Sequence, residues 1–120
     1  MASSFSVQMK DLLEEINDDV RDSTKKAIDS VSREAVQKLK NTSPRRTGSY
    51  ASGWSKKRQG EMDAVVYNRT DASLTHLLEN GHIIKNKKGV FGRVRGIKHI
   101  APVEEWASDE LPRRALEDIP

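Results

Sequence analysis

Residues 6–40 run without a single glycine or proline, and their apolar side chains return at steps of three and four. Met9, Leu12, Leu13, Ile16, Val20, Ala27, Ile28, Val31, Ala35, Val36 and Leu39 form the stripe, with only the Ser23-Thr24 step polar. This spacing predicts one long amphipathic helix. At 1.5 Å per residue it would reach about 50 Å, more than a small domain can cover with its own core, so part of the stripe is expected to meet another molecule. The stripe advances by about 3.7 residues per step rather than the 3.5 of a left-handed coiled coil. Packing on its own sheet and against a neighbouring subunit is therefore expected ahead of a dimeric coiled coil.

The remaining 80 residues are punctuated differently. Asn41-Thr42-Ser43-Pro44 stops the helix, because proline disfavours the helical region at the residue before it. Residues 50–58 then read as a strand with Tyr50 and Trp54 on one face, and Gln59-Gly60 as a turn into a second strand over 62–68. A short helix is expected over 73–79, a basic loop over 85–89, and a third strand over 90–100, interrupted by Gly92 and Gly96. Pro102 suits the first turn of a C-terminal helix that Pro112 is expected to kink or break. The expected fold class is α+β: a long N-terminal helix packed on a small antiparallel sheet of about three strands, a short central helix and a C-terminal helix. One domain over 1–120 is expected, with the long helix at about 6–40, the sheet-containing part at about 45–101 and the last helix at about 102–117.

Composition narrows the function classes. The hydrophobic fraction is 35%, low for a self-sufficient core, and a partner is expected to complete it. Without cysteine there is neither a disulfide framework nor a cysteine zinc cluster, and no apolar run approaches the ~20 residues of a membrane span. No signal peptide is read at the start of the chain. Net charge is +3, but residues 41–100 hold 12 basic against 4 acidic side chains while residues 101–120 hold 2 against 6. Such polarity suits head-to-tail contacts between copies as well as it suits a polyanion.

The densest cluster of chemistry is Leu-Thr-His-Leu-Leu-Glu-Asn-Gly-His at 74–82. His76, Glu79 and His82 recur every three residues, a spacing that could gather metal ligands or an acid/base pair on one helix face. Asn80-Gly81, however, reads as a left-handed helix cap that ends the helix before His82. The favoured reading is a structural corner. Leu74, Leu77 and Leu78 would pack inward, His76 and His82 would hydrogen-bond loop backbone, Glu79 would pair with an Arg or Lys of the basic middle, and His99 would belong to the same corner. No nucleophile elbow, phosphate-binding glycine loop or paired carboxylates support catalysis, so no catalytic residue, metal or cofactor is assigned. Lys56, Lys57, Arg58, Lys85, Lys87, Lys88, Arg93, Arg95 and Lys98 would permit a nucleic-acid surface. No reading helix or aromatic pair accompanies them. Tyr50, Trp54, Lys85, Lys87, Lys88, Phe91, Arg93, Arg95 and Trp106 are the interface candidates, with Phe91 and Trp106 expected to pack rather than stack on bases.

Taken in order, these pieces resemble the small head-tail joining proteins of long-tailed bacteriophages, also called neck, tail-completion or tail-component proteins. The long helix leads into TSPRRTGSYASGW, similar to the family's Pro-x-x-Thr-Gly loop and strand. VVYN is followed by LTHLLENGH, similar to its Leu-Glu-x-Gly-His signature, and GRVRGIKHIAPVEEWA resembles its closing strand and helix. The resemblance covers roughly residues 5–117. It departs at His99-Ile100-Ala101-Pro102, where many relatives carry Pro-Phe-Leu-x-Pro. It implies a non-enzymatic virion protein at the head-tail junction or in the tail, assembled in the host bacterial cytoplasm. The implied partners are copies of itself in a ring, neighbouring head-completion, tail-terminator or tail-tube proteins, and passive contact with DNA in the channel, with no membrane. The alternative class is a small basic nucleic-acid-binding protein or ribonuclease-like toxin using His76, His82 and His99.

Overall fold

The computed structural model describes residues 4–8, 18–45, 48–86 and 89–117; side chains at 6–8, 18, 19, 84–86, 90 and 91 are outside that description. The order of elements is β1 (Ser4–Gln8), α1 (Asp18–Thr42), α2 (Ser49–Ser52), β2 (Trp54–Gly60), β3 (Asp63–Asn68), a 3-10 turn (Ala72–Leu74), α3 (Thr75–Asn80), β4 (Gly81–Asn86), β5 (Gly89–Arg95) and α4 (Ile100–Glu117). The chain is α+β, with the long helix packed on a three-stranded antiparallel sheet and followed by a short central helix and a C-terminal one.

The helical stripe holds where it can be seen. Ala27, Ile28, Val31, Ala35, Val36 and Leu39 are all buried. α1 begins later than expected, however, because residues 4–8 form a strand instead of the helix start. Phe5 and Val7 alternate with Ser4, Ser6 and Gln8, a period of two that continues the apolar spacing well enough to pass for helix. What decides is the open edge of β3: β1 pairs along it from Ser4 opposite Tyr67 to Gln8 opposite Asp63. Met9, Leu12, Leu13 and Ile16 lie outside the described residues.

The sheet has the order β1-β3-β2, with the β2–β3 hairpin running from Trp54 opposite Asn68 to Gly60 opposite Asp63. Its turn falls at Glu61-Met62, two residues beyond the expected one, because a bulge between Arg58 and Gly60 carries β2 past Gln59. Tyr50 is not in a strand. It sits in α2, a single turn closed by the Ser52 and Gly53 N–H groups on the Gly48 and Tyr50 carbonyls.

α1 and α4 pack on each other and share two apolar clusters. One holds Ile28, Val31, Ala107 and Leu111, the other Leu39, Tyr50, Trp54, Val66, Ile100 and Val103, and Phe5 and Trp106 pack against both. The polar step of the stripe also points inward. Ser23 donates to the Ala115 carbonyl at 3.0 Å and Thr24 to the Val20 carbonyl at 2.7 Å, so both hydroxyls are satisfied without water. α4 continues past Pro112, where a kink or break was expected, so the helix is not broken there. The ring removes the N–H that would reach the Ser108 carbonyl, but both residues are exposed, so water can complete that carbonyl.

Trp54 is the largest fully buried side chain, and its indole N–H donates to Ser43 Oγ at 2.8 Å. Trp54→Phe keeps an aromatic ring but leaves that hydroxyl without its donor. Urea denaturation should show a loss of about 1–2 kcal/mol. No measurable change would mean that the bond between the helix end and β2 contributes nothing.

Candidate functional site

The corner at 74–82 is built around a buried carboxylate. Glu79 is 4% exposed, and it accepts the backbone N–H groups of His99 (2.7 Å) and Ile100 (2.8 Å) on Oε1 and of Ala101 (2.9 Å) on Oε2. These are the orphan donors at the start of α4, and the next residue, Pro102, has no N–H to satisfy. Glu79 is therefore a helix cap supplied from twenty residues upstream, with its charge at the positive end of the helix dipole. Among the described residues Glu79 pairs with no Arg or Lys, contrary to expectation. Burial by itself would raise its pKa; the N–H donors of His99, Ile100 and Ala101 outweigh burial and hold the carboxyl below its ordinary value.

His99 completes the clamp. Its Nδ1 lies 2.7 Å from the Ile97 carbonyl and 2.9 Å from Glu79 Oε1, two acceptors that require a proton on that nitrogen. Nε2 is then left to accept from the Tyr50 hydroxyl at 2.7 Å. Tyr50 is a dependable donor, since burial first, and then the charges of Glu79 and Asp71, push its pKa up. Tyr50 and Trp54 stand edge-on to each other and to the His99 ring, at centroid distances of 5.6–6.4 Å. The triad contains groups that catalysis uses elsewhere, but His99 is 1% exposed and every nitrogen is engaged, so it fastens α2, α3 and α4 and offers nothing to a substrate.

The other expected members fall elsewhere. Leu74 is 41% exposed, while Leu77 and Leu78 are half-buried, with Leu78 against the Tyr50 and Trp54 cluster, so the three leucines do not dock together. His76 is exposed, and His82 Nδ1 is buried with no hydrogen-bond partner; among the described residues His99 is the histidine whose ring fastens backbone. Gly81 does not take the left-handed helical conformation. Its φ of 83° and ψ of 177° send the chain straight into β4, an extended turn that glycine alone makes without strain. Among the described residues no group of three His, Asp or Glu could hold a metal ion, and no helix is long and apolar enough to cross a membrane.

Tyr50 and Trp54, expected at an interface, are core side chains at 6% and 2% exposure. Trp106 is half-buried on the α1–α4 seam, with the Lys38 ammonium 4.7 Å and the Arg114 guanidinium 5.6 Å from its ring. Of the remaining candidates, Lys85, Phe91, Arg93 and Arg95 lie on one projecting ribbon. β4 and β5 form their own two-stranded sheet, where a strand over 90–100 in the main sheet was expected, and β4 runs into the segment expected to be loop from Lys85; the ribbon packs on the body chiefly through α3. Arg93 and Arg95 are exposed on it; the side chains of Lys85 and Phe91 are not described, and Lys87 and Lys88 lie outside the described residues. Asn80, Arg93, Arg95, Gly96 and Lys98, with Glu79 at the base, line a cleft of about 500 Å³.

Two kinds of residue escaped the sequence reading. Asn68 is 2% exposed and ties the corner together: its amide donates to the Tyr50 carbonyl at 2.7 Å, and its oxygen accepts from the Thr70 and Asp71 N–H groups. An asparagine closing a strand before Arg-Thr-Asp is the Asx-turn signal that would have found it. Ile83, Val94 and Ile97, exposed along the ribbon and its exit, were also unassigned.

Compared with known proteins, residues 5–81, more than half of the chain, match the family model HK97-gp10_like, described as "Bacteriophage HK97-gp10, putative tail-component". No curated protein and no solved structure matches the chain significantly.

Proposed function

We propose, since this chain belongs to the HK97-gp10-like family of bacteriophage tail components, that it joins head to tail, or completes the head-proximal end of the tail, by assembling with its own copies into a ring. A structural role in the virion follows from the family. The finer reading is supported by the β4–β5 ribbon, which with its exit at Ile97 carries Ile83, Val94 and Ile97 in water although a lone two-stranded ribbon is marginal by itself. Rotational symmetry needs two different patches per subunit, and a projecting arm beside a compact helical body supplies them. The two apolar clusters share Phe5 and Trp106, which supports one domain acting as a unit. Neighbouring rings would be head-completion, tail-terminator or tail-tube proteins, with the arm or the loop at its tip beside the DNA channel.

Native mass spectrometry and electron microscopy of the purified chain, alone and mixed with the tail and head-completion proteins encoded beside it, test this reading. Closed rings or ring-on-ring complexes are the expected outcome. A chain that stays monomeric in every mixture defeats it. Nucleic-acid binding as the main role has less support, because the exposed isoleucines of the ribbon have no use for a phosphate backbone.

A further inference from the structure

The ribbon leaves the body with both its charge and its apolar side chains unanswered. Ile83 and Ile97 are each 55% exposed and Val94 41%. Ile83 stands directly opposite Arg93, and Gly81 opposite Arg95, so Ile83, Arg93 and Arg95 share one face of the ribbon. Among the described residues, Arg93, Arg95 and Lys98 enter no ion pair, and the one carboxylate in their cleft, Glu79, is spent on the start of α4. A surface that answers this arm must bring carboxylates together with an apolar side chain.

The same chain carries such a surface. On α4 the exposed residues Glu105, Asp109, Pro112 and Leu116 follow one another at helical spacing along one stripe, with Glu104 beside them. Leu116 is 62% exposed. Glu104, Glu105 and Asp109 enter no ion pair among the described residues, whereas Arg113 on the same helix is already held by Glu110 and Glu117. We propose that the β4–β5 arm of one copy docks on the α4 face of the next, with the Glu105 and Asp109 carboxylates in the Arg93, Arg95 and Lys98 cleft and Leu116 against Ile83 and Ile97. The contact joins two different patches, so it propagates from copy to copy and closes when the rotation allows. It rests on the ring reading above and names the surfaces that reading needs. DNA phosphates would satisfy the cations but would leave Ile83 and Ile97 in water, which favours a second copy.

Charge reversal tests it on the full chain by sedimentation velocity at about 0.05 M salt, where screening is weak. Arg93→Glu with Arg95→Glu, and separately Glu105→Arg with Asp109→Arg, should each weaken self-association at least about tenfold, since like charges face each other across the contact. The chain bearing all four changes should recover wild-type assembly. These side chains are exposed, so thermal melts should match wild type; Arg93→Gln with Arg95→Gln serves as a milder pair if the reversal disturbs folding. Wild-type assembly that neither reversal affects overturns the docking while leaving the ring reading in place, and so does loss in both reversals with no recovery in the combination. A wild-type chain that never associates overturns both. Retention of duplex DNA that Arg93→Glu with Arg95→Glu abolishes, with self-association unchanged, also overturns the docking and assigns the cleft to phosphate.

Discussion

Glu79→Ala should cost the protein about 3 kcal/mol of folding stability, lowering Tm by roughly 10 °C, because it strips the cap from α4 and leaves His99 without its carboxylate. A buried donor left without a partner costs about 1–3 kcal/mol, and Glu79 serves three; water can reach only the outermost, at exposed Ala101, which keeps the total below the full sum. Glu79→Gln separates charge from shape. It retains an acceptor for His99 and Ile100, turns an N–H₂ toward Ala101, and should cost about half as much. The two chains also differ with pH. The folded-state pKa of Glu79 lies below its ordinary value of 4.5, so its contribution is fully present above that value and is lost as pH falls through the lower folded one. The stability gap between wild type and Glu79→Gln should thus be constant near neutrality and shrink below about pH 4.5. Urea titrations between neutral and acid pH read this directly, and a gap that stays level into acid would remove the charged cap from the account.

Gly96→Ala should be comparably damaging, for a reason no contact energy contains. A Cβ there would lie 2.4 Å from the Asn80 carbonyl carbon, 2.5 Å from the Gly81 nitrogen and 2.6 Å from the Glu79 oxygen. All three are backbone atoms, so no rotamer change relieves the clash. Gly81→Ala meets the Val94 oxygen at 2.3 Å and must also hold a positive φ. Strain of about 1–3 kcal/mol adds there to overpacking of similar size. In both variants the cheapest relief is for β5 to lift from the end of α3, which also drags residues 97–99 off the clamp. Hydrogen exchange should show lost protection across 81–95 together with a lowered Tm. Gly92→Ala, with open space where its Cβ would stand, should remain within about 0.5 kcal/mol of wild type. Equal behaviour of Gly92→Ala and Gly96→Ala would mean that close backbone approach is not what holds the ribbon.

The corner shows how far the residues alone could be followed. His-x-x-Glu-x-x-His invites a metal site, and Asn80-Gly81 correctly signals that the helix ends there. Yet the partner of Glu79 could not be read, because the choice between a lysine in the basic middle and three N–H groups at 99–101 depends on where α4 starts in space. The backbone-fastening role read for His76 and His82 falls, among the described residues, to His99. Tyr50 and Trp54 were legible as important and misplaced as surface, since a one-turn helix at 49–52 turns both rings inward. The strand at 4–8 was missed because five residues of alternation merge into a neighbouring helical period, and an open sheet edge outweighs such a short local preference.

By its own pattern the sequence determined the buried stripe of α1, the β2–β3 hairpin, the C-terminal helix and the family, because periodicity, turn residues and motif order act over a few neighbouring positions. The tertiary structure alone decided that Glu79 caps α4, that β4 and β5 form a separate projecting ribbon, that Gly96 admits no side chain, and that Ile83 and Ile97 remain in water. Each of those depends on which polar groups and apolar faces are left unanswered once the elements have packed, and that remainder exists only in three dimensions.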